Sequence, residues 1–184
     1  MARGFLHDEQ CRRRWQTPEA ILAEIRLCCG MTFADIGCGE GFFVLPAARI
    51  VGETGIIYAL DESDDAISRL NQRAASEGLT NITSRVASAE DTILCDHCAD
   101  IVFFGIVLHD FKDPRRVLTN AMKMLKPTGI LVDLDWKREP MDVGPPLVLR
   151  FSEQEASKLI MSANFTIELT KGAGPYHYVV VARP

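Results

Sequence analysis

The twelve residues from Thr32 to Phe43, TFADIGCGEGFF, constrain this chain more than any others. An apolar start (Phe33, Ala34, Ile36) turns abruptly glycine-rich and then runs into an apolar segment from Phe42 to Val51, which reads as strand, tight loop and helix. Gly37, Gly39 and Gly41 stand on alternate positions, where missing side chains let the backbone approach a ligand and adopt positive φ. The N–H groups at the start of the following helix open into the same space. This is a cofactor-binding loop. A dinucleotide loop of the form G-x-G-x-x-G is excluded, because the third glycine comes one residue too early and Glu40 stands where a pyrophosphate would be repelled.

At 184 residues the chain fits a single domain, 1–184, with a substantial core. Its net charge of −5 argues against a nucleic-acid partner, and Arg12-Arg13-Arg14 is too short a basic cluster to reverse that. His7, Asp8 and Glu9 interrupt the only early apolar residues, so no targeting signal is expected. The most apolar run, Ile101 to Leu108, is far too short to span a bilayer. A soluble, cytoplasmic protein is expected, with its six cysteines as thiols, several of them buried. Cys95-Asp96-His97-Cys98 has the spacing of half a zinc site, but no second pair follows, so a loop carrying two thiols is the favoured reading over metal or redox chemistry.

In chain order, residues 1–30 form an N-terminal segment whose helix runs from Pro18 to about Leu27, with Thr17 as N-cap. A second strand, Gly55 to Leu60, ends on Asp61, and a helix from Asp64 to Glu77 is capped by Ser63 and closed by Gly78. Further strands are expected at Asn81–Val86, Asp100–Gly105 and Ile130–Asp135, with a helix from Asp113-Pro114 to Leu125 between the last two. Residues 137–151, with Pro140, Gly144, Pro145 and Pro146, read as a loop able to act as a substrate lid. Ser152 and Glu155 make a capping box for a helix to Ala163. Asn164–Leu169 and Tyr176–Ala182 then form an antiparallel pair at one sheet edge.

The motif D-I-G-C-G-E-G, the Ser88-Ala89-Glu90-Asp91 turn, Leu108-His109-Asp110 and M-L-K-P-T-G-I-L resemble those of class I S-adenosylmethionine-dependent methyltransferases. The resemblance covers nearly the whole chain from Pro18, although beyond the fifth strand it is one of element order. It implies an α/β fold, a Rossmann-like three-layer sandwich whose seven-stranded sheet is mostly parallel with an antiparallel edge strand. It implies S-adenosyl-L-methionine as cofactor and S-adenosyl-L-homocysteine as product. Asp35 would bind the cofactor's amino group, and Gly37, Cys38, Gly39 and Gly41 would cradle it. Asp61, 20 positions after Gly41 and followed by Glu62, would accept both ribose hydroxyls. Ala89 and Glu90 would meet the adenine, with Asp91 as the other acid available. Gly105 would admit the methionine end.

Methyl transfer from a sulfonium is mainly a problem of alignment, so catalytic side chains are optional. His109 is the candidate base by its place after the fourth strand, with packing over the cofactor the equal alternative, and Asp110 could orient it. Trp15 and Trp136 are available to stack on an aromatic substrate, although core or lid packing is simpler for each. A strand His177 facing helix or solvent is the plainer reading of that residue. With only the N-terminal segment and the lid to shape a pocket, a small or lipid-like methyl acceptor is favoured over protein or RNA, and no Asn-Pro-Pro-Tyr-like motif follows the fourth strand. A non-catalytic cofactor-binding protein is the alternative from another class, and the cysteines match no metalloid-binding set.

Overall fold

A computed structural model describes residues 9–184; His7 and Asp8 lie outside them. Seven strands form one sheet: β1 (Thr32–Ile36), β2 (Ile56–Asp61), β3 (Ile82–Val86), β4 (Ala99–Gly105), β5 (Leu125–Trp136), β6 (Thr166–Ala173) and β7 (His177–Arg183). Their order is β3-β2-β1-β4-β5-β7-β6. All pairings from β3 to β5 are parallel, and β7 is antiparallel to both β5 and β6. The antiparallel strand therefore lies one position inside the edge, which β6 occupies.

Among the described residues six α-helices accompany the sheet: α1 (Glu9–Arg12), α2 (Pro18–Glu24), α3 (Val44–Val51), α4 (Asp64–Ser76), α5 (Pro114–Met124) and α6 (Glu153–Met161). One core packs Phe33, Ile57, Phe103 and Leu134 against α2, α3 and α4; the other packs Ala34, Val102, Phe104 and Val180 against α5 and α6. Alternate residues of one strand thus feed opposite cores, as the two-residue period of a strand requires. Each such Val, Leu, Ile or Phe side chain fully removed from water contributes about 1.5–3 kcal/mol, which makes the central strands a rigid base for the loops at their carboxyl ends.

Several local expectations hold with mechanism. Ser63 Oγ accepts the Ala66 N–H, and Ser152 with Glu155 completes a reciprocal capping box. Others are corrected. Thr17 makes no side-chain cap, and α2 ends at Glu24 because Arg26 turns to φ 60. The helix after the glycine loop starts at Val44 rather than Phe42, since Gly41 at φ 89 still belongs to the turn. β5 begins at Leu125: the Lys126–Gly129 turn is absorbed as an irregularity in the pairing with β4 between Ala99 and Ile101. Cys95 and Cys98 are joined in a disulfide rather than held as thiols, and Cys28 and Cys29 are exposed while Cys38 is buried. No helix among the described residues is long and apolar enough to cross a membrane.

Candidate functional site

The carboxyl ends of β1, β2 and β4 face a continuous cleft made of two cavities, of about 180 and 320 Å³, that share Gly37, Asp61, Val107 and Asp110. Gly37, Gly39 and Gly41 all adopt positive φ, at 77°, 54° and 89°. A Cβ on Gly37 would lie 2.5 Å from Val107 Cγ2, and one on Gly41 would lie 2.5 Å from Leu70 Cδ1. A Cβ on Gly39 would meet nothing within 4 Å. The first two glycines are thus required by packing as well as by conformation, whereas around Gly39 the backbone is bare toward the cleft.

Asp61 locks this loop. Its Oδ2 accepts the Gly39 N–H at 2.8 Å, and its Oδ1 accepts the Ser63 N–H at 2.9 Å. Charged acceptors make such bonds stronger than neutral ones. The acid expected at a ribose therefore also holds the loop together, and it lines both cavities. Glu62 is exposed at the rim of the smaller one.

The smaller cavity is an apolar slot between Leu60, Ala87, Ala89, Val107 and Phe111. Its floor is pinned by Asn120, a buried amide on α5 whose Nδ2 donates to the carbonyls of Ala89 (3.0 Å) and Glu90 (2.8 Å). Glu90 lines the slot, but its carboxylate is occupied. Oε1 accepts the N–H groups of Lys112 (3.0 Å) and Asp113 (3.3 Å), and Oε2 accepts the Ser88 hydroxyl at 2.6 Å. These bonds hold its pKa below the usual value despite partial burial. Asp91 instead pairs with Arg116 at 2.7 Å.

The larger cavity ends at Asp35. This carboxyl is 1% exposed, and neither oxygen has a hydrogen-bond partner among the described residues. Burial pushes its pKa up to about 7, opposed by the Arg12 guanidinium and reinforced by Asp61. A buried, unpartnered carboxylate costs several kcal/mol unless a cation arrives. The thiol of Cys38, beside it, is raised well above the ordinary value by the same burial.

Arg12 closes this end from above. Its guanidinium lies 3.9 Å from the centroid of Phe42, Nε donates to Gln16 Oε1 at 2.6 Å, and burial lowers its pKa to about 10. α1 is fastened there by Glu9, whose Oε2 accepts from Arg73 Nη2 at 2.6 Å while Arg73 Nη1 donates to the Glu40 carbonyl at 3.0 Å.

After β4 the chain turns through Ile106, a β-branched residue at φ 66 that lines the larger cavity. Such a conformation costs on the order of 1–3 kcal/mol and clusters at functional sites. Gly105 lines the same cavity, but a Cβ there would come within 2.8 Å of Phe103 and 3.0 Å of Phe43, so core packing already requires it.

His109 lies in the following turn, Leu108–Asp110, and lines neither cavity. Its ring is held between two carboxylates, with Nδ1 2.8 Å from Asp135 Oδ1 and Nε2 3.5 Å from Asp110 Oδ1. Burial lowers the histidine pKa, but the hydrogen bond and charge of Asp135 outweigh it and the net shift is upward. Asp110, not His109, faces both cavities.

Sequence reasoning passed over Arg12, Asn120, Asp135 and Arg150. Two of them carried a visible signal: Asp133 and Asp135 alternate within an apolar strand, and Asn120 stands between the buried Val117, Ala121 and Met124. Arg150 carried none. It fastens the 137–146 loop by donating to the carbonyls of Pro145, Lys137, Glu139 and Val143 at 2.8, 3.3, 3.1 and 2.9 Å.

Comparisons with known proteins identify the family and the fold. A family model described as a methyltransferase domain matches residues 29–168. The chain is 27% identical over 124 residues to a demethylmenaquinone methyltransferase of Geobacillus kaustophilus, covering 67% of this chain and 53% of that protein. It is 36% identical over 104 residues to a ubiquinone biosynthesis O-methyltransferase of Caulobacter vibrioides, covering 55% and 39%. The chain thus spans about half the length, or less, of these curated relatives. A crystal structure of a SAM-dependent methyltransferase from Aquifex aeolicus superposes with a TM-score of 0.88 at 29% identity, covering 93% of this chain and 91% of that one.

Proposed function

The chain belongs to the methyltransferase-domain family, and from that premise we propose that it binds S-adenosylmethionine and transfers its methyl group to a small-molecule acceptor. The observation that carries the reading is Asp35: a fully buried carboxylate with no partner on either oxygen, at the end of a cleft lined by the positive-φ Gly37 and Gly39. The ammonium of a methionine moiety satisfies it. When bound, S-adenosylmethionine supplies a sulfonium-activated methyl whose departure leaves a neutral thioether.

The chain's own residues have separate tasks. Gly39 gives the close backbone approach, and Asp61 holds that backbone while presenting carboxylate to a ribose. The apolar slot between Leu60 and Phe111 accepts the adenine ring against the turn pinned by Asn120. Glu90, already bonded to the turn before α5, shapes that slot and leaves the backbone around Ala89 to meet the base. Asp110 is the acid that reaches the cleft, and we assign it the proton released by the acceptor. His109 supports it as a positioning residue, held by Asp135.

Small acceptors fit the relatives named above, whose names point to quinone biosynthesis, and fit a net charge of −5. The deciding experiment is isothermal titration with S-adenosylmethionine, with NAD as control. Saturable binding of the former alone is expected. Binding of neither, or of NAD, overturns the reading.

A further inference from the structure

Within reach of the Arg12 charge, which also acts on Asp35, four rings from three parts of the chain meet at the ends of β5 and β7. Trp136 and His177 are paired neighbours across the two strands, with ring centroids 4.3 Å apart. Trp15, in the connection between α1 and α2, lies over both, 5.4 Å from Trp136 and 5.1 Å from His177, and its plane is only 18° from that of the imidazole. Tyr176 stands edge-on to Trp15 at 6.3 Å.

This cluster is poorly satisfied as a piece of core. Trp15 Nε1, Trp136 Nε1 and His177 Nε2 are all buried, and none has a hydrogen-bond partner among the described residues. Gln16 Nε2 and Arg12 Nη2, on the same segment as Trp15, are in the same condition. Trp136 and His177 are 1% and 2% exposed. Buried polar groups in native proteins are nearly all paired, and each exception calls for a reason. Five on adjoining residues call for a common one.

The surroundings are also electropositive. Burial, then the charges of Arg12, Lys137 and Arg150, force the His177 imidazole to stay neutral, its pKa lowered to about 3. Arg150 lies 5.6 Å from the Trp136 ring centroid. Flat ring faces, unpaired nitrogens and nearby cations together select a planar, electron-rich ring bearing oxygen.

We propose that this cluster is the methyl-acceptor site, that its ligand is a hydroxylated aromatic ring, and that Trp15 occupies the place of that ring until the acceptor displaces it. The acceptor stacks on His177 against Trp136, and its oxygens take up Trp136 Nε1 and His177 Nε2, while the unpaired nitrogens of Arg12, Trp15 and Gln16 leave with the displaced segment. Arg12 does the corresponding thing three residues earlier. Its guanidinium provides Asp35 with the positive charge that the cofactor ammonium would otherwise bring. The segment 9–16 is thus a removable plug that fills the ends of both subsites at once. The proposal rests on the methyltransferase reading and specifies its substrate class.

The test is calorimetric titration of the full chain with 2,3-dihydroxynaphthalene in saturating S-adenosylhomocysteine, with cyclohexane-1,2-diol as the non-aromatic control. The diol arene is expected to bind saturably and the cyclohexane diol not. Trp15→Ala removes the ring that covers Trp136 and His177, leaves both of those residues in place, and should tighten arene binding about tenfold. His177→Phe keeps the ring and removes the nitrogens, and should weaken it about tenfold with S-adenosylhomocysteine affinity unchanged. Weakened or unchanged arene binding in Trp15→Ala overturns the displacement, and this variant decides the matter if His177→Phe does not fold. Equal binding of both diols, or of neither while S-adenosylhomocysteine binds, overturns the acceptor site alone. Failure to bind S-adenosylhomocysteine overturns the cofactor reading and this proposal with it.

Discussion

Nδ1 of His109 lies 2.8 Å from Oδ1 of Asp135, and the same oxygen accepts the Trp136 backbone N–H at 2.7 Å. One carboxylate thereby ties the loop after β4 to the end of β5. The His109 side chain is 3% exposed and that of Asp135 1%, so the pair is shielded from solvent screening.

That pair has a pH signature. The folded pKa of His109 is raised above its ordinary 6.5, so its stabilisation is complete below about that value and is lost as pH rises through the folded one. Asp135→Asn should cost about 3–5 kcal/mol at low pH, the usual loss when one member of a buried pair is removed. The gap should narrow by pH 9. Urea denaturation of both proteins at pH 5.5 and 9 measures it, and a gap independent of pH would show that the pair is not ionic.

Asp35 carries a pH dependence of the same sense and couples it to binding. Its carboxyl is raised from 3.8 to about 7, so folding stability is greatest below the lower value and declines as pH rises through the upper. Asp35→Asn removes a carboxylate that burial disfavours more than the Arg12 charge favours it, and should stabilise the ligand-free chain above pH 7 by roughly 1–3 kcal/mol. The same change should abolish S-adenosylmethionine binding. A less stable variant, or one that still binds, contradicts this assignment.

The glycines separate packing from ligand approach. Gly39→Ala meets open space and carries only the cost of φ 54, about 1–2 kcal/mol, so the chain should fold and fail to bind. Gly37→Ala carries the same conformational cost plus a contact at 2.5 Å with Val107 and should be the less stable of the two. Thermal melts with and without S-adenosylhomocysteine distinguish them.

Arg150 should govern the lid. Arg150→Ala leaves four carbonyls without their donor, at about 1–3 kcal/mol for each left buried. Hydrogen exchange across residues 137–149 should accelerate, with β1 and β4 unaffected. Uniform acceleration would mean that Arg150 supports the whole fold instead.

Local chemistry made much of this legible in advance. The loop from Asp35 to Gly41 and the acid at Asp61 are recognisable because strand, turn and helix follow one another within 30 residues, so spacing in sequence fixes spacing in the fold. Ser152 and Glu155 cap each other across three residues for the same reason. His109 is legible as a residue of the loop after β4, but the partner of its ring is not. The partner that turns it inward, Asp135, is 26 residues away on another strand.

By itself the sequence determined the order of elements, the two-faced burial of the central strands and the residues at the glycine loop, all set by periodicity and short-range turns. Only the tertiary structure decided what those residues meet: Arg12 at Asp35, Asn120 under Ala89, and Trp15 on His177, a contact across 162 positions of chain. Such contacts depend on how strands and helices pack side by side, and the spacing of residues along one segment carries no record of a neighbour brought in by another.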